Sequence, residues 1–252
     1  EVDPVSMKFL GELGTRESWK ENQPLPILPM IPTPAHPVVD PDRNCLWTCT
    51  YNPMTQRIAV VRCDPDGREV KRWTLKDAKL PQSSHTISQT RDWIVIVDNG
   101  YKIDLKEMHT GERTVATNTK EPVFLIRKDT LDKLPSGELV EPKTFHIGPE
   151  CMHYYADYED SDGKVRVFFE HSTDSDIAIG MREGDRDFHG NLVDPRLAGM
   201  YGLALSAPTV TMLEFDPETG EVSERARYGD PERFWNVQTS ASDWSRQGLT
   251  RP

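Results

Sequence analysis

The chain has 252 residues and a formal net charge of −11, and its 30 Lys and Arg residues are scattered rather than clustered. Scattered basic residues in an acidic chain lack the electrostatic footprint of a nucleic-acid-binding protein, so nucleic acid is excluded as a partner. The length suits one large all-β domain or two smaller domains, and it permits a sizeable buried core.

The sequence contains no run of about 18 apolar residues, and its first residues lack a charged segment followed by an apolar one. These features predict a soluble, non-secreted, cytoplasmic chain, and they leave peripheral contact with a membrane surface open. Cys45 and Cys49 lie in one predicted strand, roughly 13 Å apart, which is too far for a disulfide. The four cysteines therefore predict free thiols of a reducing compartment, and their spacing does not match a structural zinc site.

The first predicted element is a proline-rich opening segment, residues 20–35, in which prolines alternate with apolar residues. Proline lacks the backbone N–H, so this segment cannot form a helix interior or a central strand. One interpretation is an extended connection whose apolar side chains lie against a core. The alternative is a disordered tail.

Short strands separated by turn residues follow this segment, and little of the chain shows a helical period. Residues 44–75 predict an antiparallel meander, and residues 92–98 predict a strand buried on both faces. Residues 131–140 predict a polar connection, and residues 172–207 predict a long excursion with a short helix near residues 195–200. The predicted strands span residues 44–51, 57–62, 69–75, 92–98, 121–127, 154–158, 165–170, 209–215 and 221–227.

Three turns that combine Asp and Gly recur after these strand clusters, at residues 64–67, 160–163 and 216–220. Hairpins closed by such turns at regular intervals predict a β-propeller, whose four-stranded blades take roughly 40 to 50 residues each. A β-sandwich is the alternative that fits the same number of strands.

Three histidines favour the propeller, because His36, His85 and His153 each lie just before or at the start of a strand cluster. The inner strand of every blade runs along the central axis of a propeller, so equivalent strand ends converge on one point. Imidazole is the commonest metal ligand, and the three residues predict a shared site for Fe, Cu, Zn or Ni. The alternative is that they are unrelated surface or core residues, which is the interpretation for His109, His146 and His171.

Three sequence motifs carry a family resemblance. They are residues 35–41 (AHPVVDP), residues 84–87 (SHTI) ahead of the strand at 93–98 (WIVIVD), and residues 153–159 (HYYADYE). In this order they resemble the first three iron–histidine segments of the carotenoid cleavage oxygenase family, which includes carotenoid-, apocarotenoid- and stilbene-cleaving dioxygenases. The resemblance covers roughly residues 17–240.

The resemblance implies a seven-bladed β-propeller of which residues 1–252 form a single domain or a central part. It also implies a non-haem Fe(II) held by four histidines, with His36, His85 and His153 as three of the ligands. The implied reaction is cleavage of a conjugated carbon–carbon double bond by O2, with an apolar small molecule as substrate and two carbonyl fragments as products. Two alternatives remain: a stilbene- or phenylpropanoid-cleaving dioxygenase, and a metal-free propeller part that serves as a binding scaffold.

The chain departs from the family pattern because family members are much longer and the segment with their fourth histidine is not found. His189 is interpreted as a loop residue, and Glu232 is a weak candidate for the carboxylate that orients a histidine ligand. A partial propeller leaves sheet edges open, which predicts association with a partner chain or self-association. The aromatic residues Trp47, Trp93, Tyr154 and Phe168 are interpreted as core residues.

Overall fold

The computed structural model describes residues 2–19, 31–52, 55–64, 69–99, 109–110, 120–148, 151–171, 182–186, 190–199 and 209–230. Residues 20–30 of the opening segment lie outside these ranges. The described part of residues 20–35 runs beside the first strands, where Tyr51 N–H donates to the carbonyl of Pro32 at 3.3 Å and Ala35 N–H donates to the carbonyl of His85 at 3.0 Å.

The described residues form thirteen strands, two short α-helices and one turn of 3₁₀ helix at Pro195–Leu197. The helices are α1 (Arg16–Trp19) and α2 (Lys128–Lys133). The strands are β1 (Val38–Asp40), β2 (Cys45–Tyr51), β3 (Arg57–Cys63), β4 (Val70–Lys79), β5 (Ile87–Gln89), β6 (Trp93–Val97), β7 (Glu121–Arg127), β8 (Leu139–Val140), β9 (Lys143–Ile147), β10 (Cys151–Ala156), β11 (Val165–His171), β12 (Thr209–Phe215) and β13 (Val222–Tyr228).

The first sheet has the strand order β1-β2-β3-β4-β8, and β2, β3 and β4 form the antiparallel meander predicted for residues 44–75. The short strand β1, which the sequence did not predict, pairs antiparallel with β2. The predicted polar connection at residues 131–140 is partly wrong, because it contains the end of α2 and all of β8. Leu131 and Val140 are buried in the core beside this sheet, and β8 pairs in parallel with β4. Trp73 Nε1 also donates to the carbonyl of Leu134 at 3.0 Å, so apolar contacts and hydrogen bonds together hold this mostly polar segment against the first sheet.

The second sheet has the order β5-β6-β7-β9 and is antiparallel throughout. All five residues of β6 (WIVIV) are buried, as the sequence predicts. Ile94 and Ile96 belong to the hydrophobic cluster shared with the first sheet, whereas Trp93, Val95 and Val97 belong to the cluster shared with the third. Both faces of this strand are thus covered by neighbouring sheets.

The third sheet has the order β10-β11-β12-β13 and is also antiparallel. Two of the predicted turns close its hairpins, and Gly163 (φ +77°) and Gly220 (φ +79°) hold the left-handed conformation that these turns require. Phe169 and Phe215 pack from one face of this sheet into the second cluster, with ring centroids 6.1 Å apart.

The three sheets follow one another face to face, which is the arrangement of successive propeller blades and not the two layers of a β-sandwich. The first strands of the sheets, β1, β5 and β10, are called the inner strands below. An isolated parallel bridge joins His36 and Thr86, and β5 lies against β10. All four cysteines are buried and free, as predicted. None of the described helices has the length and apolar character needed to span a bilayer.

Candidate metal centre

His36, His85 and His153 meet at one end of the inner strands. Their ring centroids lie 4.9 Å apart for His36 and His85, 4.9 Å for His85 and His153, and 5.8 Å for His36 and His153. One nitrogen from each ring lies within 4.8 Å of the other two. The three side chains differ in solvent exposure: His36 is exposed, His85 is half-buried and His153 is buried.

The chain brings these residues together because each lies at or just before the start of the inner strand of a different sheet. His36 lies two residues before β1, His85 lies two residues before β5, and His153 lies near the start of β10. Ile87 N–H donates to the carbonyl of His36 at 3.4 Å, and this hydrogen bond fixes the register of the inner strands β1 and β5. Parallel inner strands place their equivalent ends at the same side of the fold.

Asn99 connects the second and third sheets beside this cluster. Its Oδ1 accepts hydrogen bonds from the backbone N–H groups of His85 at 2.9 Å and Thr86 at 3.3 Å. Its Nδ2 donates to the carbonyl of Met152 at 3.0 Å. One buried amide therefore fixes the backbone next to both His85 and His153.

Glu170 contacts the histidine cluster, and the sequence reasoning missed it. It lies on β11 directly opposite His153, and its Oε2 is 3.0 Å from Nδ1 of that ring, with both side chains almost fully buried. A β-bulge between Cys151 and His153 shifts the register immediately before the histidine. Bulges re-aim side chains next to functional sites, and a carboxylate on one imidazole nitrogen turns the other nitrogen toward a metal.

Burial favours the neutral form of two imidazoles of the cluster, those of His85 and His36. Burial lowers the pKa of His85 to about 4, and repulsion from His153 and His36 adds to the effect. Burial also lowers the pKa of His36, with a smaller contribution from His153. Neutral imidazole is the form that binds metal ions, so the ligand nitrogens need not lose a proton at neutral pH.

The donor set fits a divalent transition metal. Three imidazole nitrogens on three inner strands form an open triangle, and Glu170 supplies the outer hydrogen bond that metal-bound histidines ordinarily make.

The other residues named from the sequence lie away from this cluster or outside the described ranges. His109 and His146 are exposed, and His171 is buried against Thr211, with Nε2 2.7 Å from Oγ1. Among the described residues, no other group of His, Cys, Asp or Glu has metal-ligand geometry. His189 and Glu232 lie outside the described residues. The four aromatic residues differ: Phe168 is half-buried, and three are core residues as predicted, namely Trp47, Trp93 and Tyr154.

Comparison with known proteins decides the family. The family described as Retinal pigment epithelial membrane protein matches residues 1–246. The chain belongs to this family. No protein of curated function matches the sequence.

Two solved structures with TM-scores above 0.5 share the fold of this chain over about three quarters of its length. A variant of Synechocystis apocarotenoid oxygenase is 17% identical, with a TM-score of 0.52 over 77% of this chain and 39% of that chain. A second Synechocystis variant, also 17% identical, has a TM-score of 0.51 over the same shares. Pseudomonas brassicacearum lignostilbene dioxygenase is 16% identical, with a TM-score of 0.49 over 76% of this chain and 37% of that chain. The chain therefore spans less than two fifths of the length of these structures.

Proposed function

We propose that this chain carries the iron-binding part of a non-haem Fe(II) dioxygenase that cleaves a conjugated carbon–carbon double bond of a carotenoid or apocarotenoid. O2 is the second substrate, and two carbonyl fragments are the products. The observation that carries the proposal is the convergence of His36, His85 and His153 from three successive sheets, with Glu170 on the outer nitrogen of His153. Synechocystis apocarotenoid oxygenase supplies the substrate class by family relation.

The residues of the chain have separable roles in this proposal. His36, His85 and His153 hold the ion as neutral ligands, so its positive charge is not compensated by the protein. Glu170 keeps a proton on Nδ1 of His153 and leaves Nε2 for the metal. Fe(II), when bound, supplies the centre at which O2 and the double bond react. The exposed side of the cluster, at His36, is the side on which an apolar substrate would approach.

Metal loading and product analysis test the proposal. The purified chain is loaded with Fe(II) without oxygen, its iron content is measured, and apocarotenoid and stilbene substrates are then supplied with O2. We expect near-stoichiometric iron and carbonyl products in the wild type, and loss of both in His85→Ala. His146→Ala is the matched control, because His146 is an exposed histidine on β9 away from the cluster.

Three outcomes would count against the proposal. A chain that holds no iron, with chemistry indifferent to His85→Ala, would support the scaffold alternative. Iron-dependent cleavage of stilbenes but not of apocarotenoids would replace the substrate class and keep the metal centre. Iron retained equally by His85→Ala would place the ion elsewhere.

We also propose that a further β-sheet, from a partner chain or a second copy, packs on the third sheet. The face that carries His153 and Glu170 continues as a half-buried apolar row in which Phe168 pairs with Tyr155 and with Met212. Such a row fits the face of a neighbouring blade. Sedimentation velocity of the wild type and Met212→Lys tests self-association, and a monomeric wild type with a cooperative melt would contradict it. Peripheral membrane contact stays a prediction.

A further inference from the structure

Lys128 is a charged side chain with no solvent exposure at the end of the inner strands opposite the histidines. Its Nζ donates to Asp40 Oδ2 at 2.7 Å, to Gln89 Oε1 at 2.7 Å and to the carbonyl of Thr90 at 2.8 Å. The ammonium also lies over the ring of Tyr158, 5.6 Å from its centroid. An ammonium has three N–H donors, and each of these has an oxygen acceptor.

The partners of Lys128 mark the far ends of all three inner strands. Asp40 ends β1, and Gln89 ends β5, so each strand carries a histidine just before its start and a Lys128 contact at its end. Tyr158 follows β10, the strand that contains His153. At about 3.3 Å per residue, the contact and the histidine on one strand lie roughly 13 Å apart.

We infer that Lys128 is a positioning residue for the metal centre: it ties the three inner strands at one end and thereby sets the spacing of His36, His85 and His153 at the other. The inference rests on the proposed metal site. Gln89 strengthens the tie, because its Nε2 donates to the carbonyl of Val39 on β1 at 2.7 Å.

Asp40 has the environment of a permanent ion-pair partner. Burial raises its pKa, but the charge and hydrogen bond of Lys128 outweigh that effect and hold the pKa below its usual value. Its Oδ1 accepts from the backbone N–H of Arg43 at 3.2 Å, and its Oδ2 accepts from Trp47 Nε1 at 3.2 Å. Removing Lys128 alone would take away the nearer cation and leave this buried carboxylate with its longer ion pair to Arg43, 3.6 Å from Oδ2.

The experiment measures Co(II) binding to the full chain by titration and by the visible spectrum of the bound ion, together with the melting temperature. The variants are the double change Asp40→Asn with Lys128→Met, which removes both charges, and Gln89→Leu, which keeps the ion pair. We expect about tenfold weaker Co(II) binding and an altered spectrum in the double variant, a loss in the range for residues that orient metal ligands. Gln89→Leu should show a smaller loss. Ile58→Val, in the core of β3, is the control that lowers the melting temperature without affecting Co(II) binding.

Each outcome has a defined meaning. Wild-type Co(II) affinity and spectrum in a folded double variant and in Gln89→Leu would overturn the inference and leave the metal centre intact. If the double variant does not fold, Gln89→Leu decides alone, and unchanged binding in it overturns the inference. A wild type that binds no Co(II) or Fe(II) would overturn the proposed function itself.

Discussion

The two ends of the inner strands are built in opposite ways. At one end, His36, His85 and His153 range from exposed to buried, and one nitrogen from each ring lies within 4.8 Å of the other two. At the other end, Lys128 and Asp40 are charged and fully buried, and the ammonium donates to three oxygen atoms. The end at Lys128 is called the closed end below, and the end at the histidines, which has metal-ligand geometry, is called the open end.

This difference suggests that one end of the inner strands stabilises the fold and that the other end binds the metal ion. A buried charge with all its hydrogen bonds made is costly to disturb, so it belongs where the structure must not move. Imidazoles that lie in metal-ligand geometry gain a further stabilising interaction when a cation binds. Substitutions at one end at a time test this difference, and they are taken in order of decreasing expected effect.

The largest effect is expected at the closed end. Lys128→Met removes the nearer cation from the buried Asp40 carboxylate and leaves the longer ion pair to Arg43 at 3.6 Å, so it should lower the free energy of unfolding by about 3 kcal/mol, the low end of the range for a broken buried ion pair. Urea unfolding of the metal-free chain at pH 7 measures it. Lys133→Met makes the same change at an exposed position of α2 and should have little effect. Equal stability of the two variants would remove the contrast between the ends.

The open end should contribute to stability only through metal. At about 100 times its Kd, Fe(II) should raise the free energy of unfolding of the wild type by about 2.7 kcal/mol. His85→Ala should unfold like the wild type without metal and should show no gain with it. Anaerobic urea unfolding with and without Fe(II) measures both quantities. A metal-dependent gain in His85→Ala would contradict the prediction.

Glu170→Gln should weaken metal binding by about 10–100-fold, because an amide holds the His153 ring less firmly and is a poorer acceptor for its N–H. Fe(II) titration of the anaerobic chain measures the loss. Glu214→Gln is the matched control on β12, where the carboxylate pairs with Arg166 and Arg225 and not with a histidine. Similar affinities in the two variants would show that Glu170 does not orient the ligand.

The smallest effect is a pH dependence from the closed end. The pKa of Asp40 is lower in the folded chain than in the unfolded one, so its stabilising contribution is complete above about pH 4 and is lost as the pH falls through the lower folded value. Unfolding free energies of metal-free chains between pH 6 and 3 measure the loss. The double variant Asp40→Asn with Lys128→Met should have a shallower acid dependence. An identical dependence would exclude Asp40 as a source.

Much of the fold could be predicted from local sequence, because β-branched runs such as residues 93–97 and Asp–Gly turns are local signals. Residues 143–147 were missed as β9, although Phe145 and Ile147 alternate inward there with exposed neighbours. The short strands β1 and β5 were also missed, since three residues carry too little periodicity to identify a strand.

The three histidines could be selected because each stands beside a strand start, and the structure brings them together. Whether they bind a metal stays a prediction. Glu170 could not be selected, because its role depends on which strand pairs with β10 and on a bulge that sequence does not reveal. A carboxylate directly after three apolar residues, 167–169 (VFF), was the one local signal near it. Lys128 could not be selected from the sequence either, because only the tertiary structure brings Asp40, Gln89 and Thr90 around it.

The most direct test of the central claim is anomalous diffraction at the iron absorption edge from crystals of the Fe(II)-loaded chain. We predict one iron peak within bonding distance of nitrogens from His36, His85 and His153, with Glu170 on the outer nitrogen of His153. A peak at another place, or three imidazoles that stay apart with no iron between them under saturating Fe(II), would contradict the claim.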